Sequence, residues 1–261
     1  MPLFSKGSLV VLESLSFTKT LYAFDFDGTL AKIVRDPQAA RMTEATEKLL
    51  DQLSRLVPVA IISGRSIEDL KSRVSFKPRF LIGNHGLEGL KGTDEALKNA
   101  QEVSRKWIHT LSTEKFETGV EIEDKVYSIA IHYRKSRNKN RARAQIKSVV
   151  EALVPSAHVI LGKCVVNLIP AGAPHKGVAL LKLVKLSEMQ HAFYIGDDDT
   201  DEDIFSLPYQ TGQIMSVRVG KKNSSNASYY IDRQSEINRV IKALIRFHQP
   251  ISNSLELEDL R

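Results

Sequence analysis

Short apolar runs that alternate with amphipathic helical patterns are the feature that most limits the folds open to this chain of 261 residues. The run Leu21 to Phe24 is followed by a helical pattern near Thr43 to Leu56 and then by the apolar run Val57 to Ser63. A capping signal at Ser66 opens another helix, and Arg79 to Gly83 is a third short apolar run. Because buried strands that are joined by helices pair in parallel, the pattern predicts a doubly wound α/β sheet.

The pattern changes in the middle of the chain. A helical pattern near Asp94 to Leu111 precedes two hairpin-like stretches, Val120 to Tyr133 and His158 to Ile169, and a basic helical segment lies between them. Two hairpins packed with helices are typical of a small α+β unit that contains an antiparallel sheet.

Strand and helix signals alternate again at the helix Gly177 to Leu186 and the strand Ala192 to Gly196. We therefore predict a Rossmann-like catalytic core formed by residues 1–85 and 174–261. An inserted α+β cap domain is predicted to interrupt this core at residues 86–173.

Composition is ordinary for a globular protein, with 42% hydrophobic residues. The single cysteine, Cys164, cannot form an intramolecular disulfide and lies in an apolar run, so a core position in a reducing compartment is expected. No apolar run approaches the ~18 residues of a membrane span, and the N-terminus lacks the pattern of a signal peptide. These observations predict a cytoplasmic protein, a monomer or weak dimer without a membrane partner, whose polar tail after Pro250 frays.

The net charge of +6 is local. The segment 134–147 holds seven basic residues and no acidic one, so that the rest of the chain carries 6 − 7 = −1. Ala142, Ile146, Val149 and Leu153 form an apolar stripe at helical spacing, which favours an amphipathic helix with a solvated basic face. A surface for an anionic partner is the alternative, but no aromatic residues alternate with the charges, and no nucleic-acid partner is expected.

Two aspartates follow the first apolar run, in the stretch YAFDFDGTLA. Asp25 and Asp27 lie on the same side of an extended chain, and Gly28 lets the backbone turn and approach a ligand. Two like charges this close repel each other unless a cation or a shared proton relieves them, and Mg²⁺ is the cation that suits carboxylates. The alternative is a solvated strand end or an aspartate that caps the next helix.

A second acidic cluster repeats this arrangement after the strand that ends at Gly196. Residues 197–203 contain six acids in seven positions. An acidic helix N-terminus explains Glu202 and Asp203 well, because the helix dipole favours negative charge there. It explains Asp197 poorly, because Asp197 lies at the strand end, where metal ligands are expected.

Two smaller signals lie between the acidic clusters. Ser63 ends the second strand and precedes Gly64 and Arg65, so that a hydroxyl and backbone N–H groups there could hold a phosphate oxygen. Lys176 precedes Gly177 at a helix start, where a cation is unfavourable unless it neutralises a phosphate and an aspartate.

Together these stretches resemble the haloacid dehalogenase superfamily of phosphotransferases, and in finer detail the trehalose-6-phosphate phosphatases. The motifs that carry the finer resemblance are ISGR, GNHG, SIAIHYR and GDDDTDE. The resemblance implies a Rossmann-like core with an inserted cap and a Mg²⁺-dependent phosphatase. It implies Asp25 as the nucleophile that forms an aspartyl-phosphate and Asp27 as the acid and base. Ser63 and Lys176 would clamp the phosphate; the implied metal ligands are Asp25, Asp27 through its backbone carbonyl, Asp197 and Asp198, with Asp201 in support.

The cap is expected to bind the sugar. In the stretch SIAIHYR, Ser128, Ala130, His132 and Arg134 share one face of a strand, while the opposite face is apolar. By itself, His132 is as well explained as a satisfied histidine in a sheet. By resemblance, the substrate-binding residues are Gly64, Arg65, Asn84, His85, Glu123, Lys125, His132, Arg134 and Asn167.

Asn167 departs from the family, in which a glutamate is usual at this place. Asparagine can still donate and accept hydrogen bonds but lacks the charge. A phosphatase of another sugar phosphate, of the glucosylglycerol or sucrose type, is therefore the alternative function. A non-catalytic anion-binding protein and a DxD glycosyltransferase are more remote alternatives.

Overall fold

A computed structural model describes residues 1–162, 164–207 and 214–249. A six-stranded parallel sheet has the strand order β10-β9-β8-β1-β2-β3. Its strands are β1 Thr20–Phe24, β2 Val59–Ile62, β3 Phe80–Ile82, β8 His191–Gly196, β9 Ile214–Val219 and β10 Tyr229–Ile231.

Helices cover both faces of this sheet, as the sequence predicts for a doubly wound fold. One apolar cluster places Leu12, Leu50 and Val240 against one face, and a second cluster places Leu180 and Leu183 against the other. Residues of the central strand β1 are buried throughout, which is why its sequence is apolar at every position but one. The flanking helices are α1 Lys6–Ser14, α2 Glu44–Leu56, α3 Ile67–Lys71, α6 Lys176–Leu186, α7 Glu202–Phe205 and α8 Ile237–His248.

A second, antiparallel sheet of four strands has the order β4-β5-β7-β6. As predicted, the apolar face of β5 packs on helices: Ile129 and Ile131 join Trp107 and Ile146 in one buried cluster. Half-buried Cys164 packs against the same cluster. This part of the chain contains α4 Asp94–Thr113, β4 Glu121–Asp124, β5 Ile129–His132, α5 Lys139–Glu151, β6 Ala157–Gly162 and β7 Val165–Pro170.

The strands and helices predicted from periodicity are all present, with bounds that shift by one to three residues. Each of the four antiparallel strands lies within 86–173, and each of the six parallel strands lies outside that range. The division of the chain into a core and a cap domain stays a prediction. The tail after Pro250 lies outside the described residues.

Among the described residues, no helix combines the length and the apolar character that a bilayer span requires.

The parallel arrangement of the strands fixes the position of the candidate site. Because β2 and β8 flank β1 in the same direction, their carboxyl ends meet at one edge of the sheet.

Candidate active site

Three residues predicted from strand ends converge at this edge. Asp25 follows β1, Ser63 follows β2 and Asp197 follows β8. All three are buried and line one cleft. The backbone N–H of Asp25 donates to the carbonyl of Ile195 at 2.9 Å, which continues the pairing of β1 with β8 up to the site.

Lys176 is the cation at the centre of this cluster. Its Nζ lies 2.7 Å from Asp25 Oδ1 and 2.7 Å from Asp201 Oδ1, and its side chain is 2% exposed. Burial lowers the pKa of Lys176, but the two carboxylates outweigh burial and raise it above its ordinary value. Lys176 therefore stays charged and ties helix α6 to β1.

The negative charge of the carboxylates around Asp25 exceeds the positive charge that Lys176 supplies. Burial raises the pKa of Asp25 well above its ordinary value, and the nearby carboxylates of Asp201 and Asp197 raise it further against the effect of Lys176. A divalent cation at this position would restore the balance and keep Asp25 ionised.

The donor set at this position fits a divalent cation. Among the described residues, Asp25, Asp197 and Asp201 bring carboxylate oxygens within 4.8 Å of one another. A side chain at Gly28 would collide with the Asp197 carboxylate, so glycine is required for this close approach. Buried carboxylates are the ligands that Mg²⁺ prefers.

The structure distinguishes the roles of the remaining acids. Asp201 Oδ1 also accepts from the Tyr194 hydroxyl at 2.6 Å, and its Oδ2 accepts from the Asp198 N–H at 2.9 Å. Asp201 is thus engaged by three donors, which suits it to hold Lys176 more than to bind a metal. Asp198 is half-buried on the cleft wall, and burial raises its pKa.

Asp27 lines the cleft, and its side chain is 40% exposed. Arg65 holds it through two parallel bonds, Nε to Oδ2 at 2.6 Å and Nη2 to Oδ1 at 2.7 Å. A role for Arg65 in substrate binding stays a prediction, because this structure commits its guanidinium to protein groups.

The residues that follow β2 form one wall of the cleft. Ser63 is buried, and its Oγ accepts from the Arg65 N–H at 3.2 Å. Gly64 leaves room for the ring of His85, which a side chain at that position would strike. His85 is buried. Its backbone lies in the left-handed region, with φ 58°.

His85 and Asn167 form an uncharged pair. Burial lowers the pKa of His85 well below its ordinary value, and Lys125 and Lys176 lower it further, against a hydrogen bond to Asn167. The imidazole is therefore neutral, and its Nδ1 has no hydrogen-bond partner among the described residues.

Residues of the antiparallel sheet form the opposite side of the cleft. His132 donates to Glu123 at 2.8 Å. Burial raises the pKa of Glu123, but the bond from His132 and the charge of Lys125 outweigh burial and lower it to about 2. Burial lowers the pKa of Lys125, whose Nζ donates to the Gly64 carbonyl at 3.0 Å.

Two further hydrogen bonds join residues on either side of β5 to residues that follow β1 and β3. Arg134 Nη1 donates to the Val34 carbonyl at 2.7 Å, and Ser128 Oγ donates to Asn84 Oδ1 at 2.8 Å. Asn84 is fully buried behind the cleft wall, and its amide donates to the Lys125 carbonyl at 3.2 Å. Of the predicted site residues, Asn84 and the supporting Asp201 do not line the cleft.

Sequence reasoning missed the loop that forms another part of the wall. Pro37, Gln38 and Ala40 line the cleft together with Thr200. The loop carries no motif, but it is held by Arg73, which stands eight residues after Arg65 with Asp69 midway between them. The spacing of four residues between these alternating charges is the sequence pattern that could have indicated a set of ion pairs here.

The buried neutral state of His85 predicts a pH-dependent stability. An unfolded chain protonates this histidine below pH about 6.5, whereas the folded chain does not, so stability falls as pH drops below that value. We expect the His85→Gln variant to lose less stability between pH 6.5 and 5 than wild type, by up to about 1.4 kcal/mol for each pH unit. Urea unfolding at several pH values measures this. The exposed His109 gives the control His109→Gln, and parallel profiles for His85→Gln and wild type would contradict the assignment.

The carboxylate cluster predicts stabilisation by Mg²⁺. At a Mg²⁺ concentration about 100-fold above Kd, we expect a rise in Tm of about 5 to 10 °C, because only the folded chain assembles the ligands. The Asp197→Asn variant should lose this rise. Asp199→Asn, at the exposed neighbour, should keep it. Equal shifts for both variants would place the ion elsewhere.

The sequence of residues 23–235 matches the family model described as trehalose-phosphatase. Trehalose-phosphate phosphatase B of Arabidopsis thaliana is 29% identical over 245 residues, which cover 85% of this chain and 65% of that protein. The trehalose-phosphate phosphatase of Mycobacterium ulcerans is 34% identical over 219 residues, which cover 79% of this chain and 56% of that protein. The chain thus spans between about half and two thirds of the length of these relatives.

The C-terminal domain of trehalose-6-phosphate phosphatase from C. albicans has a similar fold, with a TM-score of 0.71 at 21% identity. The match covers 91% of this chain and 96% of that one. It bears out the predicted α/β fold with a Rossmann-like core. Because the family model covers most of its length, this chain belongs to the trehalose-phosphatase family.

Proposed function

We propose that the chain is a Mg²⁺-dependent phosphatase that hydrolyses trehalose 6-phosphate to trehalose and phosphate, in the biosynthesis of trehalose. The observation that carries this proposal is the buried Asp25 carboxylate, held by Lys176 at 2.7 Å beside Asp197 at the carboxyl edge of the parallel sheet. Such a carboxylate, oriented by a cation in a cleft, is suited to attack phosphorus.

In the first step, an oxygen of Asp25 forms a bond to phosphorus while the bond from phosphorus to the sugar oxygen breaks. The leaving oxygen takes a proton from Asp27, and trehalose departs. In the second step, water attacks the phosphorus of the aspartyl-phosphate and gives its proton to Asp27. Phosphate leaves, and the Asp25 carboxylate is restored.

The phosphoryl group must be neutralised for an anionic nucleophile to approach. Magnesium, when bound by Asp25, Asp197 and the backbone carbonyl of Asp27 with Asp198 in support, supplies part of that neutralisation. Lys176 supplies the rest, and Ser63 would donate to a phosphate oxygen from the end of β2.

The segment 86–173 acts as a cap domain that selects the sugar. This proposal is supported by the convergence of its polar side chains on the cleft that contains Asp25. Hydrogen bonds such as that from Arg134 to the Val34 carbonyl would form when the cap closes and break for product release. The residues that would contact the sugar are Glu123, Lys125, His132, Arg134 and Asn167.

Asn167 supports a second candidate, a phosphatase of another sugar phosphate such as a glucosylglycerol or sucrose type. Its amide lines the cleft beside the neutral His85, where the family usually has a carboxylate. The chemistry at Asp25 is the same in either case. A cytoplasmic monomer or weak dimer is the state that the composition favours, with Cys164 reduced.

Phosphate release from a panel of sugar phosphates tests the function. We expect trehalose 6-phosphate to be preferred over sucrose 6-phosphate, glucosylglycerol phosphate and glucose 6-phosphate, and EDTA to stop the reaction. Asp25→Asn should reduce release to the level without enzyme, because the nucleophile is lost. Asp94→Asn, at an exposed helix start, is the matched control and should be fully active. Turnover by Asp25→Asn would contradict the assignment of the nucleophile.

Asn167→Glu tests the sugar pocket. If Asn167 faces trehalose, the new carboxylate accepts bonds from sugar hydroxyls beside Lys125, and KM for trehalose 6-phosphate should fall about tenfold, with little change in kcat. Asn167→Gln, which adds length without charge, is the control. Steady-state kinetics on both variants measures the change. An unchanged or higher KM for Asn167→Glu would assign Asn167 to the pocket of a different sugar.

A further inference from the structure

We propose that Asp69 and Arg73 are positioning residues, which act through Arg65 to fix the carboxylate of Asp27 for proton transfer. This inference rests on the proposed phosphatase function. Neither Asp69 nor Arg73 lines the cleft, so both would act at a distance from the substrate.

Protein groups accept from four of the five side-chain N–H groups of Arg65. Two of its five N–H groups hold Asp27, a third donates from Nη1 to Asp69 Oδ2 at 2.6 Å, and a fourth donates from Nη2 to the Pro37 carbonyl at 2.8 Å. The guanidinium also stacks over the ring of Phe26, 5.5 Å from its centre. A planar group held from four sides has a single orientation, which it imposes on Asp27.

Asp69 supports Arg65 from behind. Its Oδ2 accepts from Arg65 Nη1 and, at 2.8 Å, from Arg73 Nε, while its Oδ1 accepts from Arg73 Nη2 at 2.6 Å. The carboxylate therefore bridges two guanidinium groups. Without its charge, Arg65 would keep Asp27 but lose the partner that fixes its plane.

Arg73 connects the same chain of ion pairs to the cleft loop. Its side chain is 1% exposed, and Nη1 donates to the carbonyls of Ala40 at 2.7 Å and Gln38 at 3.0 Å. Arg65 binds the same loop at Pro37. The ion pairs thus hold Asp27 and the loop 37–40 in fixed positions. We name the group of Arg65, Asp69 and Arg73 the Asp27 support.

Held in this way, Asp27 can still bind and release the proton that the reaction transfers. Each carboxylate oxygen has two lone pairs, and Arg65 occupies one on each. The others are available for the proton that passes to the leaving oxygen. The Asp27 support therefore directs these lone pairs, and its loss should affect the proton transfer more than the attack by Asp25.

The test separates these two events by the leaving group. The alkoxide of trehalose 6-phosphate needs a proton as it departs, whereas the phenolate of p-nitrophenyl phosphate leaves without one. Single-turnover reactions with enzyme in excess report the first step alone, as release of trehalose or of p-nitrophenolate. They exclude the second step, in which Asp27 serves both substrates.

For Asp69→Asn, we expect the rate of trehalose release to fall about 10- to 100-fold, and the rate of p-nitrophenolate release to change less than about threefold. KM for trehalose 6-phosphate should stay close to that of wild type, because no sugar contact is lost. Asp69→Glu should recover part of the rate. The control is Asp51→Asn, which removes an exposed Arg–Asp pair of the same i,i+4 spacing, with Arg55, on helix α2.

Equal losses on the two substrates, or no loss on either, would overturn the inference and leave Asp69 with a structural role alone. If Asp69→Asn does not fold, Arg73→Lys, which keeps the charge but loses the planar fork, takes its place in the same comparison. A wild-type protein that hydrolyses neither substrate would overturn the proposed function, and the inference with it.

Discussion

The contact of Lys176 with Asp25 and Asp201 is the interaction on which the rest of the site depends. A buried ammonium is unfavourable unless carboxylates pair with it, and here two carboxylates lie at 2.7 Å. The same contact joins α6, the residue that follows β1 and the acidic turn after β8, so that it fixes the positions of Asp25 and Asp201 together. It leaves an excess of negative charge, which a divalent cation would neutralise.

In the proposed mechanism, chemistry and selectivity come from different parts of the fold. The parallel sheet supplies the reactive groups, because its central strands end at one edge. The antiparallel sheet supplies Glu123, Lys125 and His132 across the cleft, and Lys125 reaches back to the Gly64 carbonyl. Between the two lies the neutral pair of His85 and Asn167, flanked by two ammonium groups. The polar pattern of this pair is where the sugar specificity of this chain would differ from that of its family.

Much of this arrangement follows from the sequence. The alternation of apolar runs and helical patterns predicts the parallel sheet, and the period of two in SIAIHYR correctly separates Ile129 and Ile131 from the polar face. Other features depend on tertiary contacts that no local pattern specifies. Asn84 is buried outside the cleft lining and accepts a hydrogen bond from Ser128, which no local pattern indicates. Asp201 binds Lys176 although Asp198 lies three residues nearer to Lys176 in sequence, because only the fold places Tyr194 and Lys176 beside Asp201.

The central claim is that Asp25 attacks phosphorus from its position beside Lys176. It is tested most directly by quenching a reaction with trehalose 6-phosphate in acid after a few milliseconds and locating the phosphate by mass spectrometry. We expect a covalent phosphate on Asp25, which appears before free phosphate and decays as free phosphate forms. A phosphate on Asp27 instead, or free phosphate without any phosphorylated peptide, would contradict it.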